Sequence, residues 1–191
     1  MVALVQAMHA GEIAAEPVLV LSSEPTAGGL SRAAELGVPT ASIDWRATAP
    51  DRSAHDASVQ AKLDSVGTDL VVCAGYMRIM TSEFVERWQG RMLNIHPSVL
   101  PAFRGLNTHA RALDAGCAVH GCTVHEVVAD LDAGPILGQA VVPVLAEDDE
   151  SSLAARVLRL EHRLFPQVLS AFVDDAAKAR RSPIAMFDEV P

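Results

Sequence analysis

Met92-Leu93-Asn94-Ile95-His96-Pro97-Ser98 is a short apolar run with two polar side chains set into it and a proline at its close. It reads as a buried strand, since it is too short for an ordinary helix and its proline cannot donate to a sheet ladder. Side chains two apart on a strand share a face, so Asn94 and His96 project together. Similar runs lie on either side: residues 18–21, 40–43 and 70–73 before it, and residues 122–128 and 136–144 after it. Helical patterns fill the gaps. Residues 29–36 stop at Gly37, the stripe Val59, Leu63, Val66 stops at Gly67, residues 82–89 stop at Gly90, and residues 108–115 stop at Gly116, each glycine standing where a helix C-cap is expected. Strands alternating with helices predict an α/β fold: a Rossmann-like, open, mostly parallel sheet with helices on both faces.

At the amino end, residues 1–8 (M-V-A-L-V-Q-A-M) read as a helix ahead of any strand. The last helix is the longest. Asp148, Asp149 and Glu150 place negative charge at its start, where the helix dipole favours it, and Leu153, Val157, Leu160, Leu164 and Val168 form one apolar stripe. Residues 1–178 are expected to form a single domain, and residues 179–191, of mixed charge with two prolines, a loosely held tail.

Composition narrows the function. The 191 residues are 50% apolar, 20% charged and 4% aromatic, which fits a folded protein packed by aliphatic side chains rather than a disordered one. With 15 basic and 24 acidic residues the net charge is −9, a surface that repels phosphate backbones and anionic lipid, so neither nucleic acid nor membrane is an expected partner. Cys73, Cys117 and Cys122 cannot all pair and form no C-x-x-C element, which suits a reducing cytoplasm. No apolar run approaches the roughly 20 residues that span a bilayer, and residues 1–12 lack the pattern of a signal peptide.

Asn94 and His96 close a central strand at its carboxyl end, the usual ligand position in open α/β sheets. There they would present an amide donor and an imidazole to one reacting group; a buried Asn and His satisfied by backbone is the alternative. Leu131-Asp132-Ala133-Gly134-Pro135 forms a turn between two strands. A carboxylate at Asp132 near His96 would fix the imidazole tautomer and prepare it for proton transfer, whereas Asp132 alone reads as a turn-stabilising residue. His120 and His125, five apart on a strand, face opposite ways and have no third ligand at suitable spacing, so no metal is expected. Ser98 has no G-x-S-x-G context for a hydrolase nucleophile. Arg156, Arg159 and Arg163 read as a solvated basic stripe.

Five linked segments carry a resemblance: Asn94 to Pro101 (N-I-H-P-S-V-L-P), Arg104-Gly105-Leu106-Asn107-Thr108-His109, His120-Gly121-Cys122-Thr123-Val124-His125, Leu131 to Pro135, and Glu161-His162-Arg163-Leu164-Phe165-Pro166. In order and spacing the chain resembles the phosphoribosylglycinamide formyltransferases, folate-dependent enzymes of purine synthesis, from about Met1 to about Phe172. The resemblance implies direct transfer of a formyl group from 10-formyltetrahydrofolate to the amine of glycinamide ribonucleotide, without metal or covalent enzyme intermediate. It implies Asn94, His96 and Asp132 as the catalytic set, with Asn94 and protonated His96 stabilising the oxyanion of a tetrahedral intermediate. It assigns Arg78, Ile79, Met80, Ala129, Asp130, Leu131 and Asp132 to the folate. To the ribonucleotide it assigns Arg52, Gly75, Met77, Asn94, Pro97 and Glu161. Taken alone, Ile79 and Met80 would read as core, Arg52 as a surface charge and Glu161 as a helix-face residue.

Two departures stand out. The family opens with a strand and a glycine-rich G-x-G-S-N turn that holds the substrate phosphate, and Met1 aligns just after it, so the natural protein is expected to begin about a dozen residues earlier. Loss of a central strand would exceed the roughly 5–15 kcal/mol that holds a domain together. Asn107 stands where the family usually has His, and an amide replaces one imidazole hydrogen bond but not its charge. Three competing readings remain. Methionyl-tRNA formyltransferases share two of the motifs but need a further RNA-binding domain, and formyltetrahydrofolate hydrolases resemble the chain less. A folate-binding, inactive paralogue would not be expected to retain Asn94, His96 and Asp132.

Overall fold

A computed structural model describes residues 1–188. The expected α/β architecture is present, and its contacts divide the chain into two compact units, Met1–Met92 and the residues from Leu93 onward.

The first unit runs α1 (Val2–His9), β1 (Val20–Ser22), α2 (Gly28–Glu35), β2 (Thr40–Ser42), a 3-10 turn (Trp45–Ala47), α3 (Arg52–Ser65), β3 (Val71–Cys73) and α4 (Ser82–Arg87). β1 and β2 pair in parallel, Val20 opposite Thr40. Val5, Ala33 and Val38 form a buried cluster against Met1, Val20 and Leu36. The helix starts are fixed by side chains: Asp51 accepts from the Ala54 N–H at 3.0 Å, and Thr81 accepts from the Phe84 N–H at 3.3 Å, each satisfying an orphan donor of the first turn. Asp56, buried on α3, accepts from both the N–H and the hydroxyl of Thr81 at 2.7 and 2.8 Å, which ties the start of α4 to α3. A cavity of about 410 Å³ lies between α1, β1 and β3.

The second unit contains β4 (Met92–His96, whose first residue falls at the boundary), α5 (Thr108–Asp114), β5 (Val119–Glu126), β6 (Ile136–Pro143), α6 (Glu150–Asp174), α7 (Ala176–Arg181) and β7 (Ile184–Phe187). β4 and β5 are antiparallel, β5 and β6 are antiparallel, and β6 and β7 run parallel. β5 begins at Val119, earlier than the expected 122, because His120 and Gly121 pair with Val142 and Val141 of β6. Gly121 is required there, since a Cβ would lie 1.9 Å from the Ala140 carbonyl oxygen.

α6 starts with a capping box, Asp149 accepting from the Ser152 N–H at 2.8 Å while the Ser152 hydroxyl accepts from the Asp149 N–H at 3.0 Å. Its stripe Leu153, Val157, Leu160, Leu164 and Val168 is buried, as expected, and α6 packs on β5 and β6. Arg156 departs from the solvated reading. Its guanidinium holds both oxygens of Asp148 at 2.5 and 2.8 Å and donates to the Pro143 carbonyl, because the Asp148 carboxylate at the helix start turns back onto it. That pairing holds the Asp148 carboxyl well below the usual range. Of the tail expected at 179–191, residues 189–191 lie outside the described residues; before them the chain forms the end of α7 and all of β7, whose Ile184 pairs with Gly138. No helix among the described residues is long and apolar enough to cross a membrane.

Candidate active site

The antiparallel register places Asn94 directly opposite His125 and His96 opposite Thr123, so all four share one face. The turn between β5 and β6 brings Asp132 to the same place. Asn94 Nδ2 lies 3.3 Å from His125 Nε2. His96 Nδ1 lies 3.4 Å from Asp132 Oδ2, and His125 Nε2 lies 3.7 Å from Asp132 Oδ1. The expected meeting of His96 with Asp132 is thus observed, and Asn94 joins them through His125.

Protons can be assigned from the partners. His125 Nδ1 faces the Glu126 carbonyl at 2.8 Å. A carbonyl only accepts, so Nδ1 carries the proton and Nε2 offers its lone pair to the Asn94 amide. Burial pushes this imidazole below its ordinary pKa against the opposing pull of the Glu126 carbonyl and Asp132. The His125–Asp132 approach is therefore a carboxylate beside a neutral ring, not an ion pair. His96 differs: Nε2 donates to the Phe103 carbonyl at 2.9 Å while Nδ1 faces the carboxylate. Both nitrogens face acceptors, which an imidazolium satisfies with two N–H groups.

Several local devices hold this geometry. The Asp132 side chain is only 7% exposed, and its Oδ2 accepts from the Gly105 N–H at 2.9 Å. Asp132 and Phe103 sit at φ +50° and +54°, a left-handed region uncommon for a residue as bulky as Phe. Backbone strain of this kind collects at functional sites. The Thr123 hydroxyl donates to the Ser98 carbonyl at 2.7 Å and accepts from the Leu100 N–H at 3.0 Å, while Thr108 donates to the Pro97 carbonyl at 2.6 Å. These bonds pin the chain leaving β4. Behind Phe103 lies His120, edge-on to Phe103 and His109, with burial lowering its pKa to about 4.

The remaining sequence candidates fall in several places. In the first unit, Arg52 is the exposed first residue of α3, Gly75 has φ +76°, Met77 is largely exposed, and Ile79 is also largely exposed, not the core that it would read as alone. Arg78 stacks over the Trp45 ring with its guanidinium carbon 4.1 Å from the centroid, and Met80 is half-buried. Arg52, Arg78 and Ile79 line one cavity of about 270 Å³ with Trp45 and His55. In the second unit, Ala129, Asp130 and Leu131 are exposed on the turn before Asp132, and Pro97 follows β4. Glu161 is half-buried on α6, and burial raises its pKa. Asn107 is exposed at the start of α5 with φ +56°, a conformation an asparagine tolerates. Among the described residues no group of three or more His, Cys, Asp or Glu could hold a metal ion.

Sequence reasoning gave no role to His125 or Phe103. His125 becomes legible only through the register that sets it against Asn94. Phe103 carried no sequence signal, since its contribution is a backbone carbonyl.

Comparison with known proteins places the chain among relatives of one kind. Residues 1–169 match the family model described as formyl transferase. The chain is 42% identical over 176 residues to phosphoribosylglycinamide formyltransferase of Escherichia coli (strain K12), covering 92% of this chain and 82% of that protein. It is 41% identical to the trifunctional purine biosynthetic protein adenosine-3 of Bos taurus over 92% of this chain, but spans only 17% of that much longer protein. Among solved structures, glycinamide ribonucleotide transformylase 1 from Symbiobacterium toebii superposes with a TM-score of 0.87 at 42% identity, covering 91% of this chain and 81% of that one. Phosphoribosylglycinamide formyltransferase from Brucella melitensis gives 0.85 at 47% identity, covering 91% and 88%.

Proposed function

Since the chain belongs to the formyl transferase family, we propose that it transfers a formyl group from 10-formyltetrahydrofolate to the amine of glycinamide ribonucleotide in purine biosynthesis. The observation that carries this reading is the contact of His96 with Asp132 beside the Asn94–His125 pair. An amide donor, an imidazole facing a carboxylate and a second, neutral imidazole meet within one small volume.

The chemistry follows from those groups. The amine nitrogen attacks the formyl carbon, a C–N bond forms, and the carbonyl electron pair moves to oxygen. The Asn94 amide and His96 donate hydrogen bonds to that oxyanion. For this, His96 Nε2 leaves the Phe103 carbonyl for the substrate oxygen, while Asp132 stays on Nδ1. The amine proton departs through water to Asp132. The oxyanion then re-forms the carbonyl, the bond to the folate nitrogen breaks, and that nitrogen takes the proton of the imidazolium. Neutral His125 holds the Asn94 amide in place by accepting from it.

The binding residues are proposed with the same boundaries as their motifs. Arg78, Ile79, Met80 and residues 129–132 contact the folate; Arg52, Gly75, Met77, Asn94, Pro97 and Glu161 contact the ribonucleotide. The exposure of Met77, Ile79 and Leu131 supports apolar contact with ligand, since large apolar side chains left open to water mark binding surfaces. Two guanidinium groups, of Arg52 and Arg78, lining one cavity support binding of an anionic group there.

Mixing purified protein with both substrates tests the reading. Loss of the formyl donor that depends on glycinamide ribonucleotide is expected. Donor loss without the amine would point to hydrolysis, and no loss with both substrates present would overturn the proposal.

A further inference from the structure

Glu126 ends β5, one step beyond His125, and its peptide is engaged on both sides. Its carbonyl accepts from His125 Nδ1 at 2.8 Å, and its N–H donates to the Pro135 carbonyl at 2.9 Å. Gly134 passes so close that a Cβ there would lie 1.8 Å from the Glu126 carbonyl oxygen. One residue thereby fixes the tautomer of His125 and closes the turn that carries Asp132. Being adjacent to His125 on a strand, its side chain lies on the opposite face. There the buried carboxylate, 7% exposed, meets the Arg180 guanidinium, Nε to Oε1 at 2.5 Å and Nη2 to Oε2 at 3.1 Å.

Arg180 is itself held in place. α7 is capped by Asp175, whose carboxylate accepts from the Lys178 N–H at 2.9 Å, and Ala179 is buried. Arg180 also lies over the Phe172 ring of α6, 5.4 Å from its centroid, and the following β7 is paired in register with β6. A two-pronged ion pair transmits orientation as well as charge. Without it, a buried carboxylate would be drawn toward water and would carry the end of β5 with it.

We propose that Arg180, acting through Glu126, is a positioning residue for His125 and Asp132, so that the carboxyl-terminal helix sets the geometry of the site. Its kinetic consequence rests on the formyl-transfer reading; its structural consequence does not. Imidazole 15N spectra of the full chain report the His125 tautomer with no substrate present. In Arg180→Met the fixed Nδ1–H signature of His125 gives way to an exchanging mixture, and kcat falls about tenfold to a hundredfold while KM values hold within about twofold. Arg180→Lys, which keeps the charge but not the fork, recovers part of both. A folded Arg180→Met protein with a wild-type imidazole spectrum overturns the proposal, whatever its activity. If Arg180→Met does not fold, Arg180→Lys decides: an intermediate spectrum supports the positioning role and a wild-type spectrum removes it. An altered variant spectrum, with wild-type protein inactive in formyl transfer, keeps the positioning role and removes the functional reading instead.

Discussion

At the ends of β4 and β5, Asn94, His96, His125 and Asp132 are buried or nearly so and are fixed by one another and by the backbone of Phe103, Gly105 and Glu126. After β3 the arrangement is the reverse: Met77 is 70% exposed and Ile79 62%, and Arg78 lies with its guanidinium face over Trp45. On the proposed function, the contrast separates two tasks. Groups that move protons or stabilise a developing charge must be in position before the substrate arrives, because reorganisation during the reaction raises its barrier. Groups that recognise an apolar ligand are left uncovered so that the ligand supplies the missing contacts.

Substitutions in the fixed region break this contrast through turnover, and those in the open region through binding. The largest effect is expected for Asp132→Asn, which leaves the shape of the turn but removes the charge facing His96: kcat falls by about 10² to 10⁴ with folate affinity retained, as read by steady-state kinetics and equilibrium binding. Asn94→Ala lowers kcat by about 10² to 10³, because its hydrogen bond strengthens only at the oxyanion. Gly134→Ala forces a Cβ onto the Glu126 carbonyl and displaces the turn, so stability drops by about 1–3 kcal/mol in denaturant titration and turnover drops with it. In the open region, Arg52→Ala and Arg78→Ala raise the KM of their substrates by about tenfold and leave kcat close to wild type, since each contact is the same in ground and transition states.

The smallest effect concerns acid stability. Burial depresses the folded-state pKa of His120 from 6.5 to about 4. Between those values the unfolded chain binds the proton and the folded chain does not, so stability is full above pH 6.5 and declines as pH falls toward 4. The melting temperature of His120→Gln is expected to fall less steeply over that window than that of wild type.

Much of this could be read from the sequence, and the exceptions share a cause. Strand positions follow from short apolar runs and the shared face of Asn94 and His96 from the two-residue period of a strand, both local properties. The terminations at Gly37, Gly67 and Gly116 follow from the positive φ that those residues adopt. His125 was not legible because its relation to Asn94 depends on the β4–β5 register, set by residues 31 apart. Arg156 is not legible because its partner Asp148 stands just ahead of the helix cap, eight residues before it, and α7 with β7 is not legible because a mixed-charge stretch gives no periodic signal until β6 supplies an edge to pair with. The carbonyls of Phe103 and Glu126 leave no trace in residue identity at all.

The central claim is that His96 and Asp132 operate as one unit. A double-mutant cycle in kcat, comparing His96→Ala, Asp132→Asn and the combined variant, tests it most directly. If the two act together, the combined variant turns over within about threefold of the slower single variant. Losses that multiply across the two substitutions would show two independent contributions and contradict the account.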